Sequence, residues 1–261
     1  MTFDNLLFLQ KDGVATIKFN RPEAFNALDF GLGNDLVEAL ETCADDKKTK
    51  VVIITGVGKA FCAGGDLSLI KNSSNTSDTL RQLIKVANLA ILGIRQMPKP
   101  VIASINGVTS GVGMSIAAAC DLRICASAAK FKQAYTSVGL VPDGGWTMLI
   151  PMLVGFGKAS ELALLDTMFG AAEAMQLGFV NNVVNDSELD KATYSIALKM
   201  ACGPSVAYGI VKNNLNHALF RNLEYQLELE RKSMIEVTKT EDAQEGIAAF
   251  LEKRKPRYSG K

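Results

Sequence analysis

The chain has a single histidine, His217, and no CxxC pair. One histidine leaves no pair to share a metal, and no Cys/His/carboxylate group has metal-ligand spacing. His217 sits among Asn213, Asn214 and Asn216 in an expected helix, a setting that suits a surface or interface residue better than a base. The five cysteines are an odd number, so they read as reduced, mostly buried thiols rather than a disulfide framework. Cys62 has no base beside it in sequence and reads as a packing residue. Net charge is only +1 and no basic tract stands out. That excludes a nucleic acid or a membrane surface held by bulk charge. The first residues lack the apolar run of a signal peptide, and the last do not form a peroxisomal address. A cytoplasmic protein is expected. Val101 to Cys120 carries no charge and has the length of a membrane span. It also holds Asn106, Thr109 and three glycines, so a buried core segment is the expectation.

What is present is an ordinary globular composition, 48% hydrophobic and 21% charged over 261 residues. The chain is organised around Pro98–Asp121. The two prolines stop a preceding helix, and Val101–Ile105 reads as a buried strand. Asn106-Gly107 turns the chain, and Gly111-Val112-Gly113 leads into a helix of small residues. Such a helix start presents unpaired N–H groups, and glycine lets a ligand approach the backbone. Around this centre, Asp12-Gly13 marks a hairpin, Asp29 caps a helix, and Val51–Thr55 is a strand. Residues 67–78 read as a mobile Ser/Asn-rich loop, and 79–95 as a helix. Strands alternate with helices up to about residue 185, and helices dominate beyond it. This predicts an α/β core over 1–185 and a helical region over 186–261.

Three loops stand out: Ala63-Gly64-Gly65-Asp66, Ser110-Gly111-Val112-Gly113 and Pro142-Asp143-Gly144-Gly145. Two backbone N–H groups from separate turns can bind one oxygen as negative charge develops on it. A nearby carboxylate could move a proton. Glycine turns are equally common in plain packing, and Pro-Asp-Gly is an ordinary turn sequence.

The segments FNRPEAFNALD (19–29), AFCAGGDL (60–67), KPVIASINGVTSGVGMSIAAACDLRI (99–124), VGLVPDGGW (138–146) and AFLEKRKPRY (249–258) together closely resemble the crotonase superfamily, the enoyl-CoA hydratase/isomerase family. The resemblance covers essentially the whole chain. It implies a spiral of ββα units with a C-terminal helical region that builds trimers, often paired as a dimer of trimers. It implies an acyl-CoA thioester as substrate, with coenzyme A as part of that substrate and no separate cofactor. By motif position, the backbone N–H groups of Gly65 and Val112 form the oxyanion hole. Ala63, Gly64, Asp66, Leu67 and Gly111 lie along the bound thioester and its CoA. Lys253 matches a lysine near the CoA phosphates, reaching a neighbouring subunit's ligand; a solvated helix charge is the plain alternative.

The chain departs from the hydratases of that family, which resemble one another in carrying two glutamates that activate water. Ser115 and Tyr135 stand in those places, and neither replaces a carboxylate base near neutral pH. Asp143 instead matches the single acid/base of isomerase members. The expectation is a Δ3,Δ2-enoyl-CoA or related ring-opening isomerase, with Asp143, Gly65 and Val112 catalytic and Tyr135 and Trp146 lining the acyl pocket. The alternatives are a hydratase of an unusual unsaturated acyl-CoA, a hydrolase or ring-cleaving member, and a non-catalytic acyl-CoA-binding protein.

Overall fold

The computed structural model describes residues 2–71, 73 and 75–261. It begins with the hairpin β1 (Leu6–Lys11) and β2 (Val14–Phe19), turned at Asp12 and Gly13, both left-handed. Helix α1 (Phe30–Asp45) follows, with the Asp29 carboxylate accepting from the Leu32 N–H at 2.8 Å. Next come β3 (Val51–Gly56), β4 (Ala60–Cys62), α2 (Leu67–Lys71) and α3 (Thr76–Gln96). Then come β5 (Val101–Ile105), β6 (Val108–Ser110), α4 (Val112–Ala119), β7 (Leu122–Ala126) and β8 (Lys130–Lys132). The remainder is α5 (Trp146–Val154), α6 (Phe156–Leu165), β9 (Phe169–Gly170), α7 (Ala171–Gln176), β10 (Asn182–Val184), α8 (Leu189–Ala201), α9 (Ser205–Leu219), α10 (Leu223–Val237) and α11 (Glu241–Leu251).

The strands form two sheets, ordered β1-β2-β3-β5-β7-β10 and β4-β6-β8-β9. From β2 to β10 every neighbour in the large sheet is parallel. The chain repeatedly places one strand in the large sheet and the next in the small sheet, then returns through helix or loop. This is the expected ββα spiral. Strands β3 and β5 are buried on both faces, and their alternation divides the core in two. Val52, Ile54, Val101 and Ala103 face the side of α1, α3 and α4. Ile53 and Ile102 face the other side, where Leu189 and Ala197 of α8 cover them.

Two expectations are corrected here. Much of the segment read as a loop over 67–78 is helix: α2 occupies 67–71 and α3 starts at 76, capped by Asn75. Asn72 and Ser74 lie outside the described residues. The strand expected over 179–184 is only 182–184. Among the described residues, no helix is long and apolar enough to cross a membrane.

A buried polar junction ties the last helices to the core. Asp121 accepts from the Val101 N–H at 2.8 Å and pairs with Arg95 at 3.0 Å and Lys212 at 2.8 Å. Lys212, on α9, also donates to the carbonyls of Ile94 and Lys99. Asp121 thus has a structural hydrogen-bonding role.

Candidate active site

Two tight turns meet at the centre of the molecule. Gly64, with φ +109°, follows β4, and Gly111, with φ +52°, follows β6. A β-carbon on Gly111 would stand 3.3 Å from the Gly64 α-carbon, so the turns pack glycine on glycine. The Ser110 hydroxyl fastens them by donating to the Ala63 carbonyl at 2.7 Å. Leu28 N–H donates to Gly64 O, and Asp66 N–H donates to Leu28 O. That bridge passes either side of Gly65 and does not use its N–H. Val112 is the first residue of α4, so its N–H has no partner within the helix. Gly65 and Val112 both line one cavity of about 390 Å³.

Asp143 lines the same cavity and, among the described residues, is its only carboxylate. Among the described residues, the cavity wall has no histidine or cysteine. Leu83, Ile84 and Ala87 of α3, Leu140 and Met234 of α10 make much of it apolar. Asp143 is 7% exposed, and burial pushes its carboxyl up to about 6. One contact opposes that rise: the Tyr135 hydroxyl donates to Asp143 Oδ1 at 2.6 Å. Burial and the adjoining Asp143 charge raise Tyr135 well above the ordinary phenol range, so it stays a neutral donor. Ala134, just before it, is held in the left-handed region, its N–H bonded to Asp166 at 2.7 Å. The Ser115 hydroxyl donates to the Asp143 carbonyl at 2.8 Å. The two positions where hydratases were expected to carry glutamates therefore grip Asp143, one by its carboxylate and one by its backbone.

Ala63, Gly64, Leu67, Gly111 and Tyr135 line the cavity. Asp66 does not; it pairs with Arg21 at 3.2 Å beside the Ala63–Gly65 turn. Trp146 is a correction. It is 2% exposed, packs in the core and does not line the cavity that Asp143 faces. Lys253 also misses the cavity. It ends α11 in a left-handed conformation, and Arg254 turns to the cavity instead. Arg254 N–H reaches Ala249 O and Lys253 N–H reaches Phe250 O, the pattern of a Schellman stop. Cys62 is buried beneath α4 and pushed up to about 11, which makes it inert.

Sequence reasoning missed Glu230. It lies on α10 and accepts from the Gly145 N–H at 2.7 Å, the Thr147 N–H at 2.9 Å and the Thr147 hydroxyl. A signal was available: Leu223, Leu227, Glu230 and Met234 share one helical stripe, and a lone carboxylate among leucines needs a partner. Among the described residues no cluster could hold a metal ion.

A family described as Enoyl-CoA hydratase/isomerase matches residues 10–261. The chain is 34% identical to 1,2-epoxyphenylacetyl-CoA isomerase of Escherichia coli, over 95% of this chain and 96% of that protein. It is 33% identical to crotonyl-CoA hydratase of Syntrophomonas wolfei, with both chains fully covered. An enoyl-CoA hydratase crystal structure from Mycobacterium avium subsp. paratuberculosis superposes with a TM-score of 0.90 at 31% identity, covering 99% of this chain and 100% of that one.

Proposed function

This chain belongs to the enoyl-CoA hydratase/isomerase family, and from that premise we propose that it shifts a carbon–carbon double bond in an acyl-CoA thioester. The carrying observation is that Ser115 and Tyr135 both hold Asp143, the cavity's sole carboxylate among the described residues. The thioester oxygen sits between the N–H groups of Gly65 and Val112. Asp143 removes a proton from C2 of a 3-enoyl thioester through Oδ2, the oxygen that Tyr135 leaves free. Negative charge moves to the thioester oxygen, where the two N–H groups stabilise the enolate. Asp143 then returns the proton at C4. A carboxyl titrating near 6 is a stronger base than an exposed aspartate and is still ionised at neutral pH.

The isomerase named in the Escherichia coli relative supports this reading, and the hydratase names support the alternative of water addition by Asp143 alone. Hydration needs a second group to hold water, and Ser115 is committed to the Asp143 carbonyl. The intact cavity speaks against a non-catalytic binding protein. CoA enters as part of the substrate, and this chemistry needs no cofactor. Exposed Val206, Ile210 and Leu215 on α9, with Phe156 and Leu164 on α6, support self-association into trimers or a dimer of trimers.

The test is a paired assay on 3-hexenoyl-CoA and crotonyl-CoA, with products followed by mass. The expected outcome is conversion of the first without mass gain, at a rate far above hydration of the second. Asp143→Asn should lower that rate by about 10²–10⁴-fold. Comparable gain of one water from crotonyl-CoA would replace the isomerase by a hydratase.

A further inference from the structure

We propose that Glu230 is a positioning residue for this reaction: from across the molecule its carboxylate closes the N-terminus of α5 and fixes the turn that aims Asp143. The proposal rests on the reading of Asp143 as the base. The start of α5 has no cap of its own. Its N-cap residue is Gly145, left-handed at φ +80° and without a side chain. Helices α1 and α11 are capped by the adjacent Asp29 and Thr240. Here the acceptor comes from 85 residues further along the chain. Glu230 is 3% exposed and sits in an apolar stripe, where a carboxylate is expensive to bury. Capping a nine-residue helix could be done by a neighbouring serine or aspartate.

A carboxylate on α10 holds the turn through contacts separate from those of Ser115 and Tyr135. Gly144 packs on Ser115, where an added β-carbon would lie 3.0 Å from the serine β-carbon. Asp143 is thus pinned through its carbonyl and Oδ1 on one side and through the Gly145 N–H on the other. Met234, one helical turn beyond Glu230, lines the cavity, so α10 supplies both the wall and the clamp.

The titratable groups facing Glu230 are Asp143 and Tyr135. Helices α4 and α5 carry no titratable residue. On α3, Arg81 and Lys85 are exposed, Arg81 pairing with Asp78; on α10, Glu228 is taken up by Arg231 and Lys232. Burial first, with the Asp143 charge adding, pushes Glu230 up to about 7.

The experiment compares the full-length wild type, Glu230→Gln, Thr147→Val and Asp143→Asn on 3-hexenoyl-CoA. It measures kcat, KM, the pH dependence of kcat/KM, and thermal unfolding. Glu230→Gln should lower kcat by ~10-fold or more with KM within ~2-fold, as expected for a misaimed base. Its acid limb should lose the ionisation near 7 that Glu230 contributes. Thr147→Val removes one of the three contacts and should give a smaller fall in kcat. A folded Glu230→Gln with wild-type kcat and pH limb overturns the proposal. So does a loss that merely tracks the unfolded fraction. If Glu230→Gln does not fold, Thr147→Val decides: a wild-type kcat and pH limb there overturn the proposal. Wild-type turnover in Asp143→Asn overturns the reading of the base itself, which separates the two failures.

Discussion

Asp143 destabilises the fold that carries it. Its carboxyl titrates near 6 in the folded chain against an ordinary 3.8, so the folded state holds the proton more tightly than the unfolded chain. Its contribution is therefore most favourable below pH ~4, falls as pH rises towards 6, and levels off above that. Asp143→Asn should raise thermal stability at pH 8, by up to ~3 kcal/mol, with the gain shrinking as pH drops to 4. Melting curves across that range check it. Tyr135 works in the opposite direction, since its hydrogen bond favours the charged carboxylate. Tyr135→Phe should push Asp143 above 6, moving the acid limb of the rate profile to higher pH and lowering kcat at pH 6 most. Asp143, Gly65 and Val112 were legible as motif positions. Ser115 was legible only as a departure, and Tyr135 as a departure and a pocket residue. Their shared grip on Asp143 depends on side chains that meet across 28 and 8 residues of chain, which no local pattern records. Trp146 was misplaced for a related reason: whether it meets the cavity or the core depends on tertiary packing that no local pattern records.

At the scale of elements, the site is made where short strands end. β4 and β6 have three residues each, too few to show a period of two, and they were read as parts of glycine loops. The long periodic helix α3 was read within three residues of its ends because its apolar stripe spans several turns. The join between the β4 and β6 ends is the sensitive point. Gly111 combines φ +52° with ψ −130°, a region essentially restricted to glycine. Gly111→Ala should separate the two turns and widen the oxyanion hole. A fall in turnover of about 10²–10³-fold, with circular dichroism unchanged, is the expected outcome.

Over the whole molecule, the order of strands and helices made the α/β core and the helical end legible, and five motifs in one order pointed to the family. The joint between the two regions was visible only in part. Asp121's partners Arg95 and Lys212 lie on α3 and α9, and nothing in their spacing announces the junction. Asp121→Asn leaves two buried cations short of their counter-charge. It should cost about 3 kcal/mol of stability, read by denaturant unfolding.

The most direct test of the account is turnover of 3-hexenoyl-CoA in D₂O, wild type beside Asp143→Asn, with products resolved by mass and by NMR. A single carboxylate working against two backbone N–H groups predicts 2-hexenoyl-CoA that carries the former C2 proton at C4, with deuterium there only to the extent that Asp143 exchanges with solvent before delivering it, no oxygen gained, and almost no product from Asp143→Asn. Incorporation of solvent oxygen, or equal rates for the two proteins, would contradict it.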